Sequence, residues 1–283
     1  MGDKKVWLAY SLYGFAVAIF FLYYLFPVEA VKNYANSEVS RTFPQLRTRI
    51  DQAQLVFPMG LRFENVAVFQ QNNPFLEIER ITIKPSWLSL IGGQKSITYA
   101  ARTSGGRIEG DAAFKSEQIT FNGNLDKVRL EEIPALQRSI PHGLSGILSG
   151  KISYRSDAAN QQAANARINL SNCTIQLAEP FFNIDSLTFI SINADAQLQN
   201  QQLKLTRCVF KGEELSGDLS GTGLLGSRLR NSTLNLSGNV QPNTVLFQRA
   251  GGDLVTSFLK GAGKGGLSIN INGPLNNPNV SFK

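Results

Sequence analysis

Ten stretches of this chain alternate apolar and polar residues with a period of two. They are LRFENVAVF (61–69), LEIERITIK (76–84), SITYA (96–100), ITFNGNL (119–125), GKISY (150–154), ARINLSNCTIQL (166–177), SLTFISINADAQL (186–198), QLKLTRCVF (202–210), STLNLSGNV (232–240) and LSINI (267–271). Each is bounded by turns rich in Gly, Asn, Pro or Ser. This is the signature of antiparallel strands with one face buried and one face wet. The expected fold is therefore mainly β. In LEIERITI the parity slips between Ile78 and Ile81, which predicts a bulge near Glu79-Arg80. Few stretches read as helical: LEEIPALQRSI (130–140), where Pro134 permits a helix only from that residue on, and PNTVLFQRA with DLVTSFLKG between Pro242 and Gly261. These are too short to cover so many strands. The apolar sheet face must meet a second sheet, fold over itself, or line a groove.

Glycine returns in closely spaced pairs within the alternation, in GGRIEG (105–110), GLSGILSGKI (143–152), LSGDLSGTG (215–223) and GGLSININGPL (265–275). Glycine weakens a strand, so its repeated use predicts tight bends or strongly coiled strands. Charged residues make up only 17% of the chain, against roughly 25% in an ordinary globular protein. This suits a β-rich protein better than a helical one. The net charge of +7 is spread thinly, without a basic cluster or aromatic interleaving, which argues against nucleic acid as a partner. A surface lying near anionic lipid is the more natural reading.

The N-terminal segment 6–26, VWLAYSLYGFAVAIFFLYYLF, contains no charge. At 1.5 Å per residue a helix of that length reaches roughly 30 Å, the hydrocarbon thickness of a bilayer. Val6, Trp7 and Tyr10 at one end, Phe15 and Phe20 within, and Tyr23, Tyr24 and Phe26 at the other form an anchor with aromatic belts at both interfaces. The run exceeds the apolar core of a signal peptide, and no small-residue cleavage site follows it closely. Lys4 and Lys5 place residues 1–5 in the cytoplasm and the rest of the chain outside. Residues 27–44 follow as a membrane-proximal helix or linker, with Val28, Val31, Ala35 and Val39 at near-helical spacing. Residues 45–283 form the exported β-rich domain.

Cys173 and Cys208 lie in that exported part, where an oxidising compartment permits a disulfide. If their strands are separated by the run at 187–198, two ladder spacings exceed the Cα reach of a bridge. The pairing is left open. Reactive constellations are lacking. His142 is the single histidine and sits in a turn-rich stretch, so no zinc set has ligand spacing. KGAGKGG (260–266) fails the spacing of a phosphate loop. Glu77 and Glu79 have basic neighbours and read as solvated strand residues. Trp87, in KPSWLSL, reads as a core or membrane-facing anchor. The chain is not expected to be an enzyme or to carry a cofactor.

The order of elements carries a resemblance. An N-terminal anchor is followed by FPMGLRFENVAV (57–68), NPFLEIERITIKPSWLSLIGG (73–93), GGRIEG and a closing INGPLNNPNVSF (271–282). This order resembles the type II secretion system protein N family, and is similar to the wider AsmA-like group of periplasmic proteins. The resemblance implies a single-pass protein of the cell inner membrane with strands coiled around an apolar interior in the periplasm. It also implies two roles. One is assembly with other secretion-system proteins through protein contacts. The alternative is binding or transfer of lipid in an apolar groove. Ten to fifteen strands spaced about 4.8 Å apart would give a groove of roughly 50–70 Å.

Overall fold

A computed structural model describes residues 3–282 apart from 58, 87–94, 116–117, 140–142, 158–160, 182–183, 227–231, 247–266 and 276. His142, Trp87, the glycine-lysine stretch 260–266 and most of the helical pair expected between Pro242 and Gly261 lie outside the described residues. Two helices open the chain, α1 (Asp3–Tyr24) and α2 (Val28–Thr42). Among the described residues fourteen strands follow: β1 (Leu46–Val56), β2 (Gly60–Gln70), β3 (Asn73–Pro85), β4 (Lys95–Thr103), β5 (Gly106–Lys115), β6 (Gln118–Arg129), β7 (Leu144–Ser156), β8 (Gln162–Phe181), β9 (Ile184–Gln199), β10 (Gln202–Gly212), β11 (Leu215–Leu224), β12 (Thr233–Pro242), β13 (Leu267–Pro274) and β14 (Asn279–Phe282). A 3₁₀ turn at Leu130–Glu132 and the short helix α3 (Pro134–Ser139) join β6 to β7. That helix begins at Pro134, where a fixed φ and a missing donor do no harm.

All fourteen strands belong to one antiparallel sheet whose spatial order is the order of the chain. At a ladder spacing of about 4.8 Å, its rungs reach about 60 Å from first to last. The ten alternating runs fall on ten of these strands, β5 and β11 carry glycine phrases read within the alternation, β14 lies in the closing INGPLNNPNVSF, and β1 stands outside the ten runs. One face of the sheet is polar. It carries Arg80–Glu64 at 3.1 Å, Arg167–Asp195 at 2.8 Å and an Asn169–Asn193 hydrogen bond of 2.6 Å. The other face is apolar.

The bulge predicted at Glu79-Arg80 is replaced by something broader. The β2–β3 ladder keeps one register through Glu64↔Arg80 and Val66↔Ile78, and shifts only at Val68/Phe69. The slip in parity instead occurs on three neighbouring strands at the same rung. Inward residues are spaced by three at Ile50/Ala53, Val66/Phe63 and Ile78/Ile81, and these residues are direct ladder partners. Asn65, at the centre of this line, has φ +52°, the left-handed conformation that asparagine tolerates best among residues with a side chain. The strands turn together, and the apolar residues stay on the inner face. The same spacing recurs at Leu125/Val128, Leu170/Cys173, Phe189/Ile192 and Leu205/Cys208, with Lys127 and Asn172 at positive φ. There the ladders of β6–β7, β7–β8 and β9–β10 do shift.

Glycines set the packing of the inner face between β10 and β13. Ladder partners read Phe210–Gly217–Val240, Cys208–Leu219–Gly238–Ile269 and Leu205–Gly221–Leu236–Ile271. A bulky side chain is thus laid over a neighbouring strand that lacks one. Phe189, Phe210, Val240, Ile269 and Cys173 form the buried cluster at this end, with the two phenyl rings edge-on at 5.7 Å.

At the other end α2 lies on the inner face. Val28, Val31 and Ala35, one helical stripe, pack on Ala53, Phe63 and Val66. Asn36 and Thr48 are hydrogen-bonded at 2.6 Å, which fixes the helix along β1. Among the described residues no helix is long and apolar enough to cross a membrane. In α1 the side chains of Leu8, Ala9, Phe15, Ala16, Ala18, Ile19 and Leu22 lie outside the described residues. Of those that are described, Val6, Trp7, Tyr10, Phe20 and Tyr24 are exposed, while Tyr23 and the following Phe26 are half-buried.

Candidate functional site

Over β1 and β2 the inner face is covered by α2. Outside the buried residues of the two clusters, many Ile and Leu side chains along this face are half-buried, neither solvated like the outer face nor sealed as Ile184, Leu267 and Ile269 are. Ile81, Ile83, Ile97, Ile108, Leu125, Ile168, Leu205, Leu236 and Ile271 all have this intermediate exposure. Between β3 and β6 the face deepens into a cleft of about 280 Å³. Leu76, Ile78, Ile81 and Ile83 of β3 form one wall. Ile97, Tyr99, Ala101 and Thr103 of β4, Ile108 and Ala112 of β5, and Phe121 of β6 complete it. For scale, an engineered apolar cavity of about 150 Å³ stays dry and takes up benzene.

The two polar side chains in the lining spend their hydrogen bonds on the protein. Thr103, fully buried, donates its hydroxyl to the Glu77 carbonyl. The Tyr99 ring stacks on Phe121 at 5.1 Å, and its hydroxyl lies beside Gly110 and Gly123. Its hydroxyl donates to the Asn122 carbonyl at 2.6 Å. Burial, and next the nearby Asp111 carboxylate, push the Tyr99 phenol up from 10.0 to about 12. A cleft whose polar groups are already satisfied offers water little. Its surface is hydrocarbon.

The raised phenol makes a prediction. In the unfolded chain Tyr99 ionises near its ordinary value, whereas in the folded sheet it holds its proton to a higher pH. Stability contributed by the neutral phenol is therefore complete below pH 10 and is lost as pH rises towards about 12. Urea midpoints measured across that window should fall less steeply in Tyr99→Phe than in the parent chain. Equal slopes would show that the phenol does not titrate late.

Cys173 and Cys208 are free thiols. They lie on β8 and β10 with β9 between them, Cys173 opposite Phe189 and Cys208 opposite Ala194. Two ladder spacings, plus an offset of five residues along β9, far exceed the roughly 7 Å that a bridge can span. Burial raises both thiols, which makes them poor nucleophiles. Among the described residues no group of three or more His, Cys, Asp or Glu is placed to hold a metal ion.

Sequence reading anticipated an apolar face in search of a cover, and the strands that carry most of it. It missed the part that β5 plays. GGRIEG was legible as a glycine phrase, but Ile108 and Ala112 line the cleft and Gly110 makes room for the Tyr99 hydroxyl. No family model matches the chain, and no curated protein or solved structure matches it either.

Proposed function

We propose that this protein is a membrane-anchored, non-catalytic holder of amphiphiles that lays their acyl chains along an open apolar β-groove. The observation that carries this is the long row of half-buried aliphatic side chains with a hydrocarbon cleft between β3 and β6. Each methylene moved from water onto such a surface contributes about 0.8 kcal/mol. Ten of them offset the lower range of association costs, about 4 kcal/mol or more. A headgroup would stay outside, because the polar side chains that line the cleft are already bonded to the protein.

The anchor is α1. The complete segment 6–26 has the length and lack of charge to span a bilayer, and most of its described aromatic side chains are exposed, as side chains that face lipid must be. Lys4 and Lys5 favour a cytoplasmic N-terminus and a periplasmic sheet at the inner membrane. Membrane lipid is both the surface on which the protein sits and the source of its cargo.

The test is to purify the full chain in mild detergent, extract lipid, and label the protein with a photoreactive fatty acid. Acyl lipid should co-purify, and crosslinks should fall on inner-face residues such as Ile81, Ile97 and Ile108. Absence of lipid, or crosslinks confined to the polar outer face, would overturn the proposal.

A second role, assembly into a secretion machine, is supported by the order of elements in the chain and by the edge strand β14. Among the described residues β14 bonds to β13 alone, and its other side suits strand addition by a partner. Recovery of secretion components with the protein from solubilised membranes would support that role. A deletion strain that secretes normally would oppose it.

A further inference from the structure

We infer that one rim of the groove, marked by Phe57 and Met59 and by the strand ends at Pro85, Lys95, Lys115 and Gln118, rests on the membrane surface. Phe57 and Met59 enter the headgroup region there, and Arg62, Lys84, Lys95 and Lys115 meet anionic headgroups. This rests on the reading of α1 as a membrane anchor.

Three independent features converge on this rim. The first is exposed apolar bulk. Phe57 and Met59, in the β1–β2 turn, are 71% and 50% exposed, and Phe114, at the end of β5, is 40% exposed. The register brings them to the same side of the sheet, since Val56 pairs with Gly60, Pro85 with Ile97, Lys95 with Phe114, and Lys115 with Gln118.

The second is charge. Lys84, Lys95 and Lys115 are exposed and take part in none of the ion pairs among the described residues. Arg62 and Lys84 line a cleft of about 550 Å³ together with Thr82 and Thr98. The buried Arg62 Nε has no hydrogen-bond partner among the described residues. The carboxylate in that cleft, Glu109, is already paired with Arg107 at 2.8 Å.

The third is the direction of α2. Its C-terminal end adjoins the start of β1, where Leu46 N–H bonds to the Phe43 carbonyl and Asn36 to Thr48. Its N-terminal end, with Val28 packed on the Ala53–Phe63 cluster, therefore points along β1 towards the Phe57 turn. The anchor enters from this side. A bilayer is the occupant that such continuity favours. Apolar tips flanked by lysines are what an interfacial contact uses.

The experiment uses the full chain with Cys173→Ala and Cys208→Ala, reconstituted into phosphatidylcholine vesicles with about a third phosphatidylglycerol. Nitroxides are attached singly at Phe57→Cys, at Asn72→Cys on the opposite rim, and at Val17→Cys within α1. Collision rates with oxygen and with a water-soluble nickel chelate report depth. The label at 57 should favour oxygen several-fold more than the label at 72, and Lys84→Glu with Lys95→Glu should abolish that preference. A label at 57 as aqueous as that at 72, with the label at 17 deep in the bilayer, overturns this inference alone. An aqueous label at 17 removes the anchor and the inference with it. Hydrogen exchange on the unaltered chain guards against misfolded variants. The amides of Phe57 and Met59 should be protected in anionic nanodiscs relative to neutral ones, and equal exchange counts against headgroup contact.

Discussion

Gly217→Ala should lower the unfolding free energy by about 1–3 kcal/mol, a large effect for one methyl group. Gly217 sits on the inner face of β11 between Phe210 and Val240. A Cβ there would lie 2.9 Å from the Phe210 ring and 3.1 Å from the Val240 Cα, and nearer still to the Asn239 carbonyl. A phenyl ring can swing away, but two neighbouring strands cannot separate without losing ladder hydrogen bonds. Phe210→Leu combined with Gly217→Ala should therefore recover only part of the loss. Urea unfolding followed by circular dichroism checks this. An unchanged midpoint for Gly217→Ala would mean that β11 is not pressed against its neighbours.

The second large effect should fall on cargo and spare the fold. Ile108 is half-buried in the cleft, where Ile108→Glu sets a carboxylate among aliphatic side chains. While the groove is empty the carboxylate keeps its water. Once an acyl chain covers it, that water is lost, and an unpaired charge buried in this way costs several kcal/mol. At 1.4 kcal/mol per tenfold, co-purifying lipid should fall at least about tenfold, with the urea midpoint little changed. Lys151→Glu, an exposed reversal on strand β7, should leave lipid content as it was. Equal lipid in Ile108→Glu and the parent would place the cargo elsewhere.

The architecture was legible to the extent that side chains alternate. Ten of the fourteen strands announce themselves by period two, and Val28, Val31 and Ala35 announce α2 by a helical stripe. Strands β5 and β11 show only as glycine phrases because glycines occupy inward positions where an apolar residue would have completed the pattern. In GRIEGDAAF and LSGDLSGTG the missing side chain is the structural message, since it leaves room for Tyr99 in one case and Phe210 in the other. The parity slip at Ile78/Ile81 was visible on one strand, but one strand alone cannot distinguish an inserted residue from a turn shared by three. That distinction needs the pairings Ile50–Val66–Ile78 and Ala53–Phe63–Ile81. The candidate site was legible only as a problem, an apolar face without enough helix to hide it. Its depth between β3 and β6 depends on which residues meet across the ladder, and no local pattern encodes that.

The strictly sequential strand order has a consequence for how the molecule is made and how it varies. Among the described residues every strand pairs only with the strands before and after it, so loop-closure costs stay small and assembly can proceed as a zipper from any nucleus. A chain emerging from one side of a membrane can consolidate each hairpin as it arrives, without waiting for its far end. The same logic makes length an adjustable quantity. Duplicating one hairpin would extend the trough by about 10 Å and leave every other pairing untouched.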